Sequence, residues 1–76
     1  SAYLPNAILV DANLTDADLK NADLSAVDLS GANLNGADLS RADLKNAVVQ
    51  NTKFAGCLGI SAAVKVELRA RGGIFE

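Results

Sequence analysis

The sequence predicts an all-β solenoid: a parallel β-helix of four-sided coils, closed at its C-terminal end by a short α-helix. Three observations predict it. Leu or a substitute recurs at every fifth residue, from Leu4 through Leu9, Leu14, Leu19, Leu24, Leu29, Leu34, Leu39 and Leu44 to Val49 and Phe54. A small residue stands two places before each, at Ala2, Ala7, Ala12, Ala17, Ala22, Val27, Ala32, Ala37, Ala42, Ala47 and Thr52. After Gly56 the period breaks and helix signals begin.

The side of the coil comes first. Between the small residue and the Leu stands mostly Asp or Asn, at Asn13, Asp18, Asp23, Asp28, Asn33, Asp38 and Asp43, so the unit is Ala-(Asp/Asn)-Leu-x-x. Ala and Leu favour helix by propensity, but each helical residue rotates about 100°, and a five-residue step would scatter the leucines around the circumference. A long flat strand fails because five is odd and alternate leucines would fall on opposite faces. A chain that turns a corner within each pentapeptide satisfies both constraints. Ala and Leu, two apart, then point inward from a short extended side, and the next two residues make the bend.

If four such sides close one coil of twenty residues, its interior receives one small and one large side chain from each. A narrow tube cannot hold eight bulky residues in one layer, so the second inward position stays near alanine size, a limit that Val27 and Thr52 test. Coils stack at about 4.8 Å through backbone hydrogen bonds. Residues twenty apart then form columns, such as Leu4, Leu24 and Leu44, Asn13 and Asn33, Asp18 and Asp38, or Asp23 and Asp43. The predicted core is Leu14, Leu19, Leu24, Leu29, Leu34, Leu39 and Leu44 with Ala12, Ala17, Ala22, Ala32, Ala37 and Ala42.

The run ANLTDADLKNADLSAVDLSGANLNGADLSRADLKNA resembles the pentapeptide repeat family, over residues 2–56, eleven pentapeptides or about 2.75 coils. The resemblance implies the family's right-handed quadrilateral parallel β-helix; handedness follows from it and not from the spacing. From residue 48 the pattern decays through Val48, Val49, Thr52, Lys53 and Phe54, so irregular last sides are expected. The segment Gly56-Cys57-Leu58-Gly59, with Arg71-Gly72-Gly73-Ile74-Phe75 downstream, resembles the C-terminal caps of cyanobacterial and chloroplast members.

The cap is predicted over Ser61–Arg71, with Ser61 as N-cap and Gly72 ending the helix. Ile60, Val64 and Leu68 form an i, i+4, i+8 stripe expected to lie across the open end of the last coil, with Ile74 and Phe75 finishing the cover. Lys65, Arg69 and Arg71 admit two readings, an anion patch or, preferred, a solvated helix face on which Glu67 and Arg71 pair for roughly a few tenths of a kcal/mol. The chain is thus expected to form a single domain over 1–76, with coils over 2–56 and a cap and tail over 57–76. The first coil has no equivalent cover in the sequence, and Tyr3, Ile8 and Val10 replace its outward polar residues. With Leu4 and Leu9 they are expected to form an end-to-end interface with a second copy of the chain or with further coils of a longer parent.

Composition excludes several function classes. Seventy-six residues allow one domain, and a chain of that size buries only about 60% of its unfolded surface. Half the residues are hydrophobic but only 4% aromatic, as a core of alternating Ala and Leu requires, with Tyr3, Phe54 and Phe75 left to the ends of the tube. There is no His and one Cys, so no disulfide framework, no Ser-His or Cys-His pair and no metal set; no Gly-rich phosphate loop is present. Cys57 reads as a small buried side chain, the alternative being a reactive or intermolecular thiol. The longest apolar run, Ala7-Ile8-Leu9-Val10, is far short of the roughly 20 residues of a membrane span. A cytoplasmic location is expected, an upstream targeting segment being compatible with the sequence. The seven Asp sit at repeat positions where they can bond nearby backbone or solvent, which spreads them instead of converging them on a cation.

These features point to a non-enzymatic structural or protein-interaction module with no cofactor, no membrane contact and no direct nucleic-acid binding. The resemblance implies an alternative, because some members mimic DNA and bind, inhibit or protect DNA gyrase and related type II topoisomerases. Seven Asp against Lys20, Arg41, Lys45 and Lys53 leave the repeat a net charge of −3, a weak field for that role. A rod of 2.75 coils, about 13 Å tall, matches only about four base pairs.

Overall fold

The corners of the chain explain its course. In the computed structural model, which describes residues 3–76, the carbonyl of each residue at the leucine position accepts the N–H three residues on, from Ala7 to Leu4 at 3.1 Å through Cys57 to Phe54 at 3.2 Å. The residue before each donor has positive φ, between 56° at Ala26 and 77° at Gly36, as a type II turn demands of its third residue. Asn6, Asp11, Asp16, Asn21, Asn46 and Asn51, with Gly31, Gly36 and Gly56, fill nine of these eleven places with the residue types that tolerate left-handed backbone. Ala26 and Arg41 fill the other two. Pro5 takes the second turn position, where its fixed φ suits the bend.

Stacking follows from the corners. Parallel bridges join Tyr3 to Asp23, Ile8 to Asp28, Asn13 to Asn33, Asp18 to Asp38, Asp23 to Asp43, Asp28 to Val48, Asn33 to Lys53 and Asp38 to Leu58. Every offset is twenty residues, so one coil turns four corners, and the fold is a β-helix whose sides each contribute one bridged residue. Each interior side is tied to the next coil by three bonds. For Ala22–Ala26, Asp43 N–H donates to Ala22 O, Leu24 N–H to Asp43 O and Ala26 N–H to Lys45 O, all at 2.8 Å. Stacking continues past Gly56, since Leu58 completes the side above Asp38.

The middle coil is the core. Ala22, Leu24, Val27, Leu29, Ala32, Leu34, Ala37 and Leu39 are buried, whereas Leu4, Ala7, Leu9, Ala12, Leu14 and Ala17 below and Ala42 and Leu44 above are half-buried. Leu19, at the top of the first coil, is buried. Ala2 lies outside the described residues. Thr52 and Cys57 occupy two successive small inward positions and solve the polarity problem alike. Thr52 Oγ1 donates to Leu29 O at 2.6 Å and Cys57 Sγ to Leu34 O at 2.9 Å, carbonyls 23 residues earlier. Phe54 takes a leucine position in the last coil and is buried; Phe75 stacks on it, centroids 5.2 Å apart and planes 17° from parallel.

Helix α1 (Ala62–Ala70) closes that end. The chain leaves the coil at Gly59, where φ is 82° and a Cβ would meet the backbone of Ser40. Ser61 Oγ caps the helix by accepting the Val64 N–H at 3.2 Å. At the C-terminus Gly73 N–H donates to Leu68 O and Gly72 N–H to Arg69 O, with Gly72 at φ 101°, the Schellman arrangement. The chain then returns to the tube, and Ile74 bridges Lys53.

Candidate functional site

The acidic ladder is built by the repeat itself. In every unit with Asp or Asn before the Leu, the side-chain Oδ1 accepts the N–H two residues on: Thr15 to Asn13, Lys20 to Asp18, Ser25 to Asp23, Ser30 to Asp28, Asn35 to Asn33, Ser40 to Asp38 and Lys45 to Asp43. The Ser25, Ser30 and Ser40 hydroxyls also donate to the same oxygens at 2.6–2.7 Å. Those hydroxyls first, and the backbone N–H groups second, hold the carboxyls of Asp23, Asp28 and Asp38 below the usual carboxylate value. Each oxygen is therefore turned onto its own side of the coil. Among the described residues no group of three or more His, Cys, Asp or Glu is placed to hold a metal ion, and no helix is long and apolar enough to cross a membrane.

The first coil departs from this pattern. Tyr3 and Ile8 stand where Asp23 and Asp28 stand one coil up, and Val10 stands below Ser30. Tyr3 and Ile8 are each 79% exposed and Val10 46%. Tyr3 and Ile8 flank the Leu4–Ala7 corner and Val10 lies in the next one, beside the half-buried Leu4 and Leu9. Backbone chemistry fits the exchange: Tyr3 brings no acceptor, and Pro5, two residues on, brings no N–H to satisfy.

At the other end the cap makes more contacts than its stripe suggested. Of Ile60, Val64 and Leu68, Leu68 is fully buried, Ile60 half-buried and Val64 40% exposed at the rim. The basic residues do more than face solvent. Lys65 Nζ and Arg69 Cζ each lie 5.5 Å from the Phe75 ring centroid, so that ring is held between Phe54 and two cations. Arg71 donates through Nη1 to Ala47 O and through Nη2 to Glu67 Oε1, both at 3.0 Å, while its buried Nε has no partner. Two cavities flank the helix. One, of about 210 Å³, is lined by Ala42–Lys45 of the coil and by Val64, Glu67, Leu68 and Arg71. The other, of about 180 Å³, lies among Phe54, Cys57, Ile60, Lys65 and Phe75. Burial pushes the half-buried Cys57 thiol up, which weakens it as a nucleophile.

The structure thus brings Tyr3, Leu4, Ile8, Leu9 and Val10 together at the first coil and sets Ile60, Val64 and Leu68 at the opposite end. Sequence reasoning missed the tie from Arg71 to Ala47 and the clamp on Phe75, for which spacing carries no signal. It also passed over the fifth place of the repeat, whose run of Asn, Asp and Gly marks the corners.

A family description, pentapeptide repeats, matches residues 1–31 and 22–58 in eight copies. No curated protein matches the chain.

Proposed function

Because the chain belongs to the pentapeptide repeat family, we propose that it is a non-enzymatic structural and protein-interaction module working through its first coil. The reading takes the coils as the family's right-handed quadrilateral form, supported by bridges twenty residues apart with four corners between them. It takes the closing segment as the cap of cyanobacterial-type members, by the residues quoted above. One observation carries the functional reading: three outward positions that are Asp, Asp and Ser one coil up are Tyr, Ile and Val here, all exposed beside half-buried leucines. Isolated exposed apolar residues are ordinary, but three replacements of polar repeat residues within eight positions at the rim of a stacked-repeat tube point to a contact surface. Its partner is a second copy or further coils of a longer parent.

Light scattering across a concentration series tests this. The chain should self-associate, and Tyr3→Asp, Ile8→Asp and Val10→Ser together, which restore the repeat pattern, should leave it monomeric with an unchanged circular-dichroism spectrum. A wild-type chain that stays monomeric at high concentration, with no coils upstream in its parent, sinks the proposal.

The gyrase-mimic alternative draws support from the aligned Asp18–Asp38 and Asp23–Asp43 columns. Lys20, 3.9 Å from Asp18, and Arg41, whose Nε donates to Asn21, interrupt that face. The longest dimension, 26 Å, spans only about eight base-pair steps. A supercoiling assay separates the two readings: no effect at micromolar excess removes the mimic.

A further inference from the structure

The three-bond rule that ties each side to the next coil allows the C-terminal edge to be counted bond by bond. On the side Ala47–Asn51, Arg71 Nη1 takes over the donation to Ala47 O, and Asn51 N–H donates to Gly72 O. On the side Thr52–Gly56, Ile74 N–H donates to Thr52 O and Phe54 N–H to Ile74 O. Each of these sides has two of its three bonds made by the tail. The side Ala42–Asn46 has none. Among the described residues, Ala42 O, Leu44 N–H and Asn46 N–H meet no partner, although Ala22 O, Leu24 N–H and Ala26 N–H beneath them are all paired. This edge borders the cavity of about 210 Å³ between the coil and α1. Ala42 and Leu44 are half-buried there, while Ala22 and Leu24, in the same column, are buried.

We propose that the Ala42–Asn46 edge is a β-addition site for a short extended segment of a partner protein, with the sequence pattern small–basic–Leu–acidic. By the rule of the coil, the segment runs parallel to Ala42–Asn46. Its second residue donates N–H to Ala42 O and accepts Leu44 N–H, and the carbonyl of its fourth residue accepts Asn46 N–H. Its first side chain stacks over Ala42, where only a small one fits. Its third enters the cavity beside Leu44, Val64 and Leu68; the space exceeds the roughly 150 Å³ that admits a benzene, so a leucine fits. Charge selects the remaining two residues. The second stacks over Asp43 and the fourth over Lys45, and among the described residues neither Asp43 nor Lys45 has an ion pair. A basic residue over the first and an acidic residue over the second complement the edge, whereas another copy of the repeat's Asp would set like charges in one column. The site lies at the opposite end from the Tyr3, Ile8 and Val10 surface and does not depend on it.

Amide hydrogen exchange followed by NMR on the whole chain tests the site, with the capped peptide Ser-Ala-Lys-Leu-Glu-Asn as probe. In the free protein Leu44 and Asn46 amides should exchange fast while Leu24 and Ala26 are protected. Peptide on the order of 1 mM should slow Leu44 and Asn46 by about tenfold. The charge-swapped peptide Ser-Ala-Glu-Leu-Lys-Asn and a version N-methylated at the lysine should each lose most of that protection. Val64→Phe, which fills the cavity from the helix side, should abolish the effect while Leu24 and Ala26 stay protected, which shows the coil intact. The proposal is overturned by no slowing at Leu44, by equal slowing with the charge-swapped peptide, or by Leu44 protection in the free protein that grows with protein concentration, which would make the occupant a second copy.

Discussion

At the C-terminal end of the tube Phe54 is buried beneath Phe75, while in the first coil Leu4, Leu9 and Leu14, at the same place in the repeat, are half-buried. Side-chain identity does not explain the difference, because both ends carry large apolar residues inward. Layers do. An inward side chain in a stacked coil is sealed from water most completely when another layer lies on each side of it, so burial depends on position along the tube. One end is covered by α1, the tail residue Ile74 and Arg71 except along Ala42–Asn46; the other keeps its aromatic and aliphatic residues on the outer surface.

The largest way to break this comparison is a paired truncation. Leu34→Ala, in the sealed middle coil, should lower stability by about 3–5 kcal/mol, and Leu9→Ala in the first coil by less than about half of that, because the second site is already wetted and leaves a smaller cavity. Denaturant titration of both variants checks it; equal losses would mean the first coil is as dry as the second. Next comes the cap. Leu68 is the one buried residue of α1, so Leu68→Ala should cost about 2–4 kcal/mol. Hydrogen exchange should then rise first at Phe54 and Asn51, whose N–H groups bond the tail, and leave first-coil amides unchanged.

Smaller effects come from the corners. Ala26 holds φ at 56° without the side chain that makes such a backbone favourable, so Ala26→Asn should stabilise by about 0.5–1 kcal/mol, read as a raised thermal midpoint. The smallest effect is electrostatic. Asp23, Asp28 and Asp38 have folded values below the ordinary 3.8. Their contribution is present above that value and disappears as pH falls through the lower folded values, so the midpoint should be flat from pH 7 to about 5 and fall below about pH 4. Ser30→Ala should move the Asp28 carboxyl back up in an NMR titration, while a carboxyl that does not move would assign its shift to something other than the Ser30 hydroxyl.

Most of the fold was legible in the chain because its determinants are local and repeated. Nine leucines in register, a small residue two before each and Asn, Asp or Gly two after seven of them specify side, core and corner within five residues. Asn13, Asn33 and the five Asp of the motif were legible as structural for the same reason, their acceptors being only two residues from the donors they serve. The corner role of Asn6, Asp11 and Asn21 was visible in the same period. The exposed Tyr3, Ile8 and Val10 were readable as breaks in a strict pattern.

By itself, then, the sequence determined the five-residue side, the Ala–Leu packing of the coil and the Asp–backbone ladder, since each depends on neighbours in the chain. Only the tertiary structure decided how the last coil ends: Arg71 standing in for a missing backbone donor at Ala47, Phe75 clamped between Phe54 and the cations of α1, and Ala42–Asn46 left as an unpaired edge. Arg71 to Ala47 and Phe75 to Phe54 join residues more than twenty apart across a break in the period, so their partners are selected by where α1 comes to rest and not by any spacing.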